Sequence, residues 1–147
     1  MTPNLWQKFV PHFETMPAVN QVECHPFFQQ RPLRAVLQPL NVKIEAWAPL
    51  GQGNKALFSH PLVLKIAEKY GKTAAAVILR FETQDGLIVL PKSTHADRME
   101  ENLAIFDFSL TQEEMAELRS LDTGKGVHDP ETPGLGERLA AAYKVHD

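Results

Sequence analysis

The chain has 147 residues, 44% of them hydrophobic and 22% charged, which suits one globular domain and excludes a disordered segment. A formal charge of −3 gives no general attraction to nucleic acid or to an anionic membrane, so any phosphate site must be built locally. Cys24 is the only cysteine, no apolar run reaches the ~20 residues of a membrane span, and the amino terminus lacks the layout of a secretory signal. The expectation is a protein of a reducing, cytoplasmic compartment, without a membrane or nucleic-acid partner.

In chain order, Thr2-Pro3 reads as a helix start, followed by Leu5, Trp6, Phe9, Val10 and Phe13 at helical spacing, with Pro11 as a break. Residues 18–23 are short enough for a strand. Pro32 opens a second helix with Leu33, Val36, Leu37 and Leu40 on one face. Residues 42–47 alternate apolar and charged side chains and read as a second strand. Residues 48–54 have the glycine and proline content of a loop.

A third helix starts at Pro61 and ends at Gly71, and a fourth is capped by Thr73. Asp85-Gly86 turns the chain into a third strand, Leu87 to Leu90. A helix over 97–106 places Met99, Leu103 and Phe106 on one side. Thr111 and Glu114 form a capping box, with Leu110 and Met115 as its hydrophobic staple. Residues 122–147 read as a surface tail, with one helical turn at 139–142. Strands alternating with helices imply parallel pairing, with ligands at the carboxyl ends of the strands.

Just past the third strand stand Lys92 and Ser93, and one turn into the next helix stands Arg98. An ammonium, a hydroxyl, a guanidinium and free helix N–H groups together make a phosphate cradle. Glu101 and Asn102 follow one turn later, within reach of the edge of a base. The plainer alternative is a solvated loop with surface ion pairs, which contribute little.

Several short motifs share one order: Asn20-Gln21-Val22-Glu23 with His25-Pro26, Ala46-Trp47-Ala48-Pro49-Leu50-Gly51, Pro91-Lys92-Ser93 with Arg98, Glu101-Asn102, and Phe106-Asp107-Phe108-Ser109-Leu110-Thr111. In that order and at those intervals the chain resembles the aldo-keto reductase family over nearly its whole length. The resemblance implies an α/β fold, a partial (β/α)8 TIM barrel made of about its last three strands and their helices. It also implies NADP(H) as cofactor and hydride transfer to a small-molecule aldehyde or ketone.

By the same resemblance Lys92, Ser93 and Arg98 hold the 2′-phosphate of NADPH, and Glu101 and Asn102 contact adenine. Gln21 binds the nicotinamide carboxamide and Trp47 stacks on the ring, where the family usually has tyrosine. Leu50 and Gln52 belong to the loop over the pyrophosphate. Asn20, Glu23 and His25-Pro26 are structural.

A barrel of this class needs about 250 residues. The first helix here resembles the one leading to the sixth strand, so the family's earlier strands and its Asp, Tyr, Lys and His tetrad have no counterpart. The family's tyrosine follows its aspartate by five residues; Lys65 precedes Tyr70 and Arg138 precedes Tyr143 at that interval, so neither fits. The expected set of catalytic residues is therefore empty. His12, His60, His95, His128 and His146 lack metal-ligand spacing. The open edges of three parallel strands predict self-association. The alternatives are a non-catalytic NADPH-binding or regulatory module, or an inactive fragment.

Overall fold

The computed structural model describes residues 1–127 together with Gly134 and Arg138. Three parallel strands, β1 (Val19–Glu23), β2 (Lys43–Trp47) and β3 (Ile88–Val89), form one sheet in the order β1-β2-β3. Val19 pairs with Lys43 through to Glu23 with Trp47, and Glu45 and Ala46 pair with Ile88 and Val89. The helices are α1 (Pro3–Phe9), α2 (Arg31–Leu37), α3 (Lys55–Phe58), α4 (Pro61–Tyr70), α5 (Ala74–Gln84), α6 (Ala96–Leu103) and α7 (Gln112–Arg119). Each parallel pair is thus joined through helical segments, as parallel pairing requires. Among the described residues no helix is long and apolar enough to cross a membrane.

Helix boundaries follow local chemistry. The Thr2 and Thr73 hydroxyls accept the N–H groups of Leu5 and Ala76, and Pro fills an early position of α1, α2 and α4. Gly71 ends α4 at φ 60°, where glycine meets no steric penalty. At α7 the Thr111–Glu114 capping box is complete in both directions. Its flanking Leu110 and Met115 lie buried in the cluster shared by α4, α5 and α7.

Alternation along the strands sorts the two faces. Ile44 and Ala46 are buried with Trp6, Leu33, Leu37 and Cys24, so α1 and α2 cover this side. Val19, Gln21, Lys43 and Ile88 on the other side are exposed, and Glu45 and Trp47 are half-buried. α5 joins the layers: Val77, Ile78 and Phe81 pack toward α4 and α7, while Ala76 and Leu79 meet Ile105.

Four sequence expectations change. The third strand pairs only over Ile88–Val89. Leu87 N–H is taken by the Glu82 carbonyl, and Pro91 has no N–H to offer a ladder. The 48–54 loop contains a 3-10 turn over Gly51–Gly53 and leads into the unexpected α3, capped by the Asn54 side chain. The helix over 97–106 is α6 followed by a 3-10 turn over Ala104–Phe106. Its stripe of Met99, Leu103 and Phe106 faces outward, because α6 lies beyond the edge strand, and Ile105 is the buried anchor.

The expected tail is, over 122–127, tied down. Asp122 accepts from Gln29 N–H and pairs with Arg31, Thr123 donates twice to the Phe27 carbonyl, and Val127 N–H reaches Glu23. The helical turn expected at 139–142 lies outside the described residues, as do Tyr143, His128 and His146.

Candidate functional site

The nine candidate residues lie on the open sheet face, on the segments leaving the carboxyl ends of β2 and β3, or, for Arg98, Glu101 and Asn102, on α6. Gln21 sits at the centre of β1 with its side chain on the open face. Its Nε2 donates to Glu45 Oε1 at 2.6 Å, across the register pair that joins the two residues. Trp47 ends β2 on the same face, half-buried and without a ring partner among the described residues. An indole at the mouth of a parallel sheet offers a flat π surface to a planar ring.

After Trp47 the chain turns sharply. Ala48 has φ 55° and Gln52 φ 53°, and Gly51 N–H closes on the Ala48 carbonyl at 2.8 Å. Gly51 itself has φ 57°, and a Cβ there would sit 3.2 Å from Asn54 Cβ, so this position requires glycine. Leu50 anchors the turn by packing into the clusters around Leu57 and Leu79, and Gln52 projects into solvent. The loop therefore presents backbone and the Gln52 amide, with the Leu50 side chain turned inward.

The segment after β3 carries the remaining candidates. Lys92 and Arg98 are exposed, and neither makes an ion pair or hydrogen bond among the described residues. Asp97 adds a carboxylate in the first turn of α6 but pairs with neither cation. The Ser93 hydroxyl accepts His95 N–H at 3.1 Å and lies 3.3 Å from the His95 carbonyl, so it shapes the entry into α6. A hydroxyl rotor can swing from that carbonyl to an anion without moving the backbone. Glu101 is exposed and Asn102 half-buried one turn further along α6.

The donor set fits the expected cofactor group. Two cations without carboxylate partners among the described residues, a hydroxyl and the first N–H groups of α6 are what a phosphate dianion needs. A bridging pair between Lys92 or Arg98 and a carboxylate would have argued against it.

The other reactive groups lie elsewhere. Burial pushes the Cys24 thiol up to about 12, with the Glu82 carboxyl adding to the shift, so it carries no thiolate at neutral pH. The Tyr70 hydroxyl donates to Glu114 Oε2 at 2.8 Å, and Lys69 donates to Oε1 of the same carboxylate at 2.6 Å. This trio ties α4 to α7 in the helical layer. Glu23 accepts from His25 Nε2 at 3.1 Å and from Val127 N–H, and both side chains are buried. His60 caps α4 through Nδ1. Among the described residues no group of three or more His, Cys, Asp or Glu is placed to hold a metal.

Glu45 was missed in the sequence. A period of two puts it on the same face as Trp47, but only the register of β1 against β2 sets it opposite Gln21.

A model described as the aldo/keto reductase family matches residues 3–123. An aldo-keto reductase of Mycobacterium sp. (strain KMS) is 47% identical over 118 residues, covering 80% of this chain and 42% of that protein. Methylglyoxal reductase DkgA of Escherichia coli (strain K12) is 38% identical over 129 residues, covering 87% and 47%. Among solved structures, a mutant of Gox0644 in complex with NADPH superimposes with a TM-score of 0.84 at 38% identity, covering 90% of this chain and 49% of that one. The aldose reductase from Schistosoma japonicum gives 0.79 at 37% identity, covering 87% and 41%. The chain thus spans about half the length of the relatives it matches.

Proposed function

This chain belongs to the aldo/keto reductase family, and from that membership we propose that it carries part of the cofactor site of an NADPH-dependent oxidoreductase that reduces small aldehydes or ketones. The observation that carries the reading is that Lys92, Ser93 and Arg98 flank the amino end of α6, past the last strand, with no acid pairing either cation among the described residues. Lys92 and Arg98 would hold the 2′-phosphate, the Ser93 hydroxyl would add a third donor, and Glu101 and Asn102 would meet the adenine edge. The turn over Leu50 and Gln52 would lie along the pyrophosphate. Trp47 would carry the nicotinamide ring, and Gln21 its carboxamide.

When bound, NADPH supplies the hydride. The chain's own residues bind and orient. Its one described tyrosine, Tyr70, is turned from the open side of the sheet, with its hydroxyl spent on Glu114 in the helical layer. That placement favours, as a second reading, a chain that holds NADPH without turning over a carbonyl. On either reading no catalytic residue is assigned among the described residues, and the location is cytoplasmic. An inactive fragment is the remaining alternative.

Fluorescence titration separates the readings. Trp6 is fully buried and Trp47 is not, so nicotinamide binding should quench Trp47 emission. NADPH saturating at lower concentration than NADH supports the 2′-phosphate assignment. Equal affinity for the two would refute it, and no binding of either would leave the fragment reading. Carbonyl-dependent oxidation of NADPH by the pure chain would overturn the empty catalytic set.

A further inference from the structure

Glu45 is the ionisable side chain at the centre of the open face. Along its own strand Lys43 and Trp47 share that face, and across the register it stands opposite Gln21 on one side and Ile88 on the other. Lys43 makes no ion pair with it. Its one hydrogen bond among the described residues comes from Gln21 Nε2, at 2.6 Å. A carboxylate only accepts, so it can be met only by the NH2 end of a glutamine amide. A neutral partner in its place would leave both orientations of the amide open.

We propose that Glu45 is a positioning residue: it holds the Gln21 amide with its NH2 group inward, so that Gln21 Oε1 is kept free to accept the N–H of a nicotinamide carboxamide. The proposal rests on the cofactor reading above and deepens it. Gln21 is an exposed residue on a strand, and without its partner the amide would sample several rotamers and both flips. Ordering such a side chain on binding costs about 0.5–1.5 kcal/mol, which corresponds to roughly twofold to tenfold in affinity. Glu45 makes that ordering part of the folded sheet.

The test uses calorimetric titration of the 147-residue chain with NADPH and with 2′-phosphoadenosine diphosphoribose, which keeps every part of the cofactor except the nicotinamide. Wild type, Glu45→Ala and Glu45→Gln are compared. The expected result is a roughly twofold to tenfold loss of NADPH affinity in Glu45→Ala, with affinity for the nicotinamide-free nucleotide unchanged. Should Glu45→Ala fail to fold, Glu45→Gln carries the test, because it keeps the volume and removes the acceptor-only charge. NADPH affinity unchanged in the folded variants overturns the proposal. So does equal weakening of both ligands, which would mean that Glu45 acts only on the strand pairing. Wild-type chain that binds neither ligand overturns the cofactor reading itself, a distinguishable failure.

Discussion

The Glu23 carboxylate accepts the backbone N–H of Val127 with its two oxygens at 2.9 and 3.0 Å, although the residues are 104 positions apart. This contact closes the chain across the carboxyl end of β1. It also dictates the neighbouring residue. A Cβ on Gly126 would lie 2.7 Å from Glu23 Oε2 and 2.7 Å from the Phe28 ring. Gly126→Ala should therefore destabilise the fold by about 1–3 kcal/mol, the usual cost of overpacking. Glu23→Ala should cost a similar amount, since it leaves Val127 N–H and the buried His25 without an acceptor. Urea titration with unchanged midpoints in both variants would contradict this account.

Lys92 and Arg98 should act on the phosphate and not on the fold. Both are exposed and unpaired among the described residues, so Lys92→Ala and Arg98→Ala should leave the melting temperature nearly unchanged. A charge-assisted contact contributes about 1.5–3 kcal/mol. Each variant should thus weaken NADPH binding by roughly tenfold to a hundredfold and NADH binding hardly at all. Parallel losses for the two nucleotides would remove the 2′-phosphate from this cluster.

The parts of this fold written in local chemistry were readable in advance. Thr2, Thr73 and Thr111 cap the helices they precede, and Ile44 and Ala46 of β2 mark its covered face, because caps and alternation depend only on near neighbours. The stripe of Met99, Leu103 and Phe106 was readable as a stripe, yet periodicity does not say what a face meets, and here it meets solvent. The candidate site was legible only through short motifs whose order matters more than any one of them. What stayed hidden depends on packing between distant segments. Glu45 meets Gln21 through strand register, and Glu82 is sealed by what packs around α5.

Glu82 gives the pH prediction. It is fully buried, and neither carboxyl oxygen has a hydrogen-bond partner among the described residues. Burial pushes its carboxyl well above the usual carboxylate range, only partly opposed by the Arg34 guanidinium. A group whose folded pKa is raised binds its proton more tightly in the native state. Its stabilising contribution is complete below the unfolded value near 4.5 and is lost as pH rises toward the folded value. Glu82→Gln keeps the volume and removes the charge. It should raise the melting temperature at pH 7–8, and the gain should shrink steadily toward pH 4.5. A gain independent of pH would show that the Glu82 proton is not linked to folding.

The last prediction concerns what the sheet leaves uncovered. β1 and β3 are both edge strands of the described sheet, with backbone groups free to pair. Val19, Ile88 and Leu90 are 40%, 39% and 48% exposed on the open face or at its rim. Leu103 and Phe106 on the α6 side are 76% and 65% exposed, with only the Arg80 guanidinium over the Phe106 ring. Parallel sheets are ordinarily covered on both faces. Burying an exposed leucine or phenylalanine side chain contributes about 1.5–3 kcal/mol, so a few such contacts suffice to drive association. The pure chain should therefore self-associate at micromolar concentration. Leu103→Glu combined with Phe106→Ser should shift sedimentation toward the monomer without lowering the melting temperature, because neither side chain is part of the core. A wild-type chain that sediments as a stable monomer would mean that this face is adequately solvated as it stands.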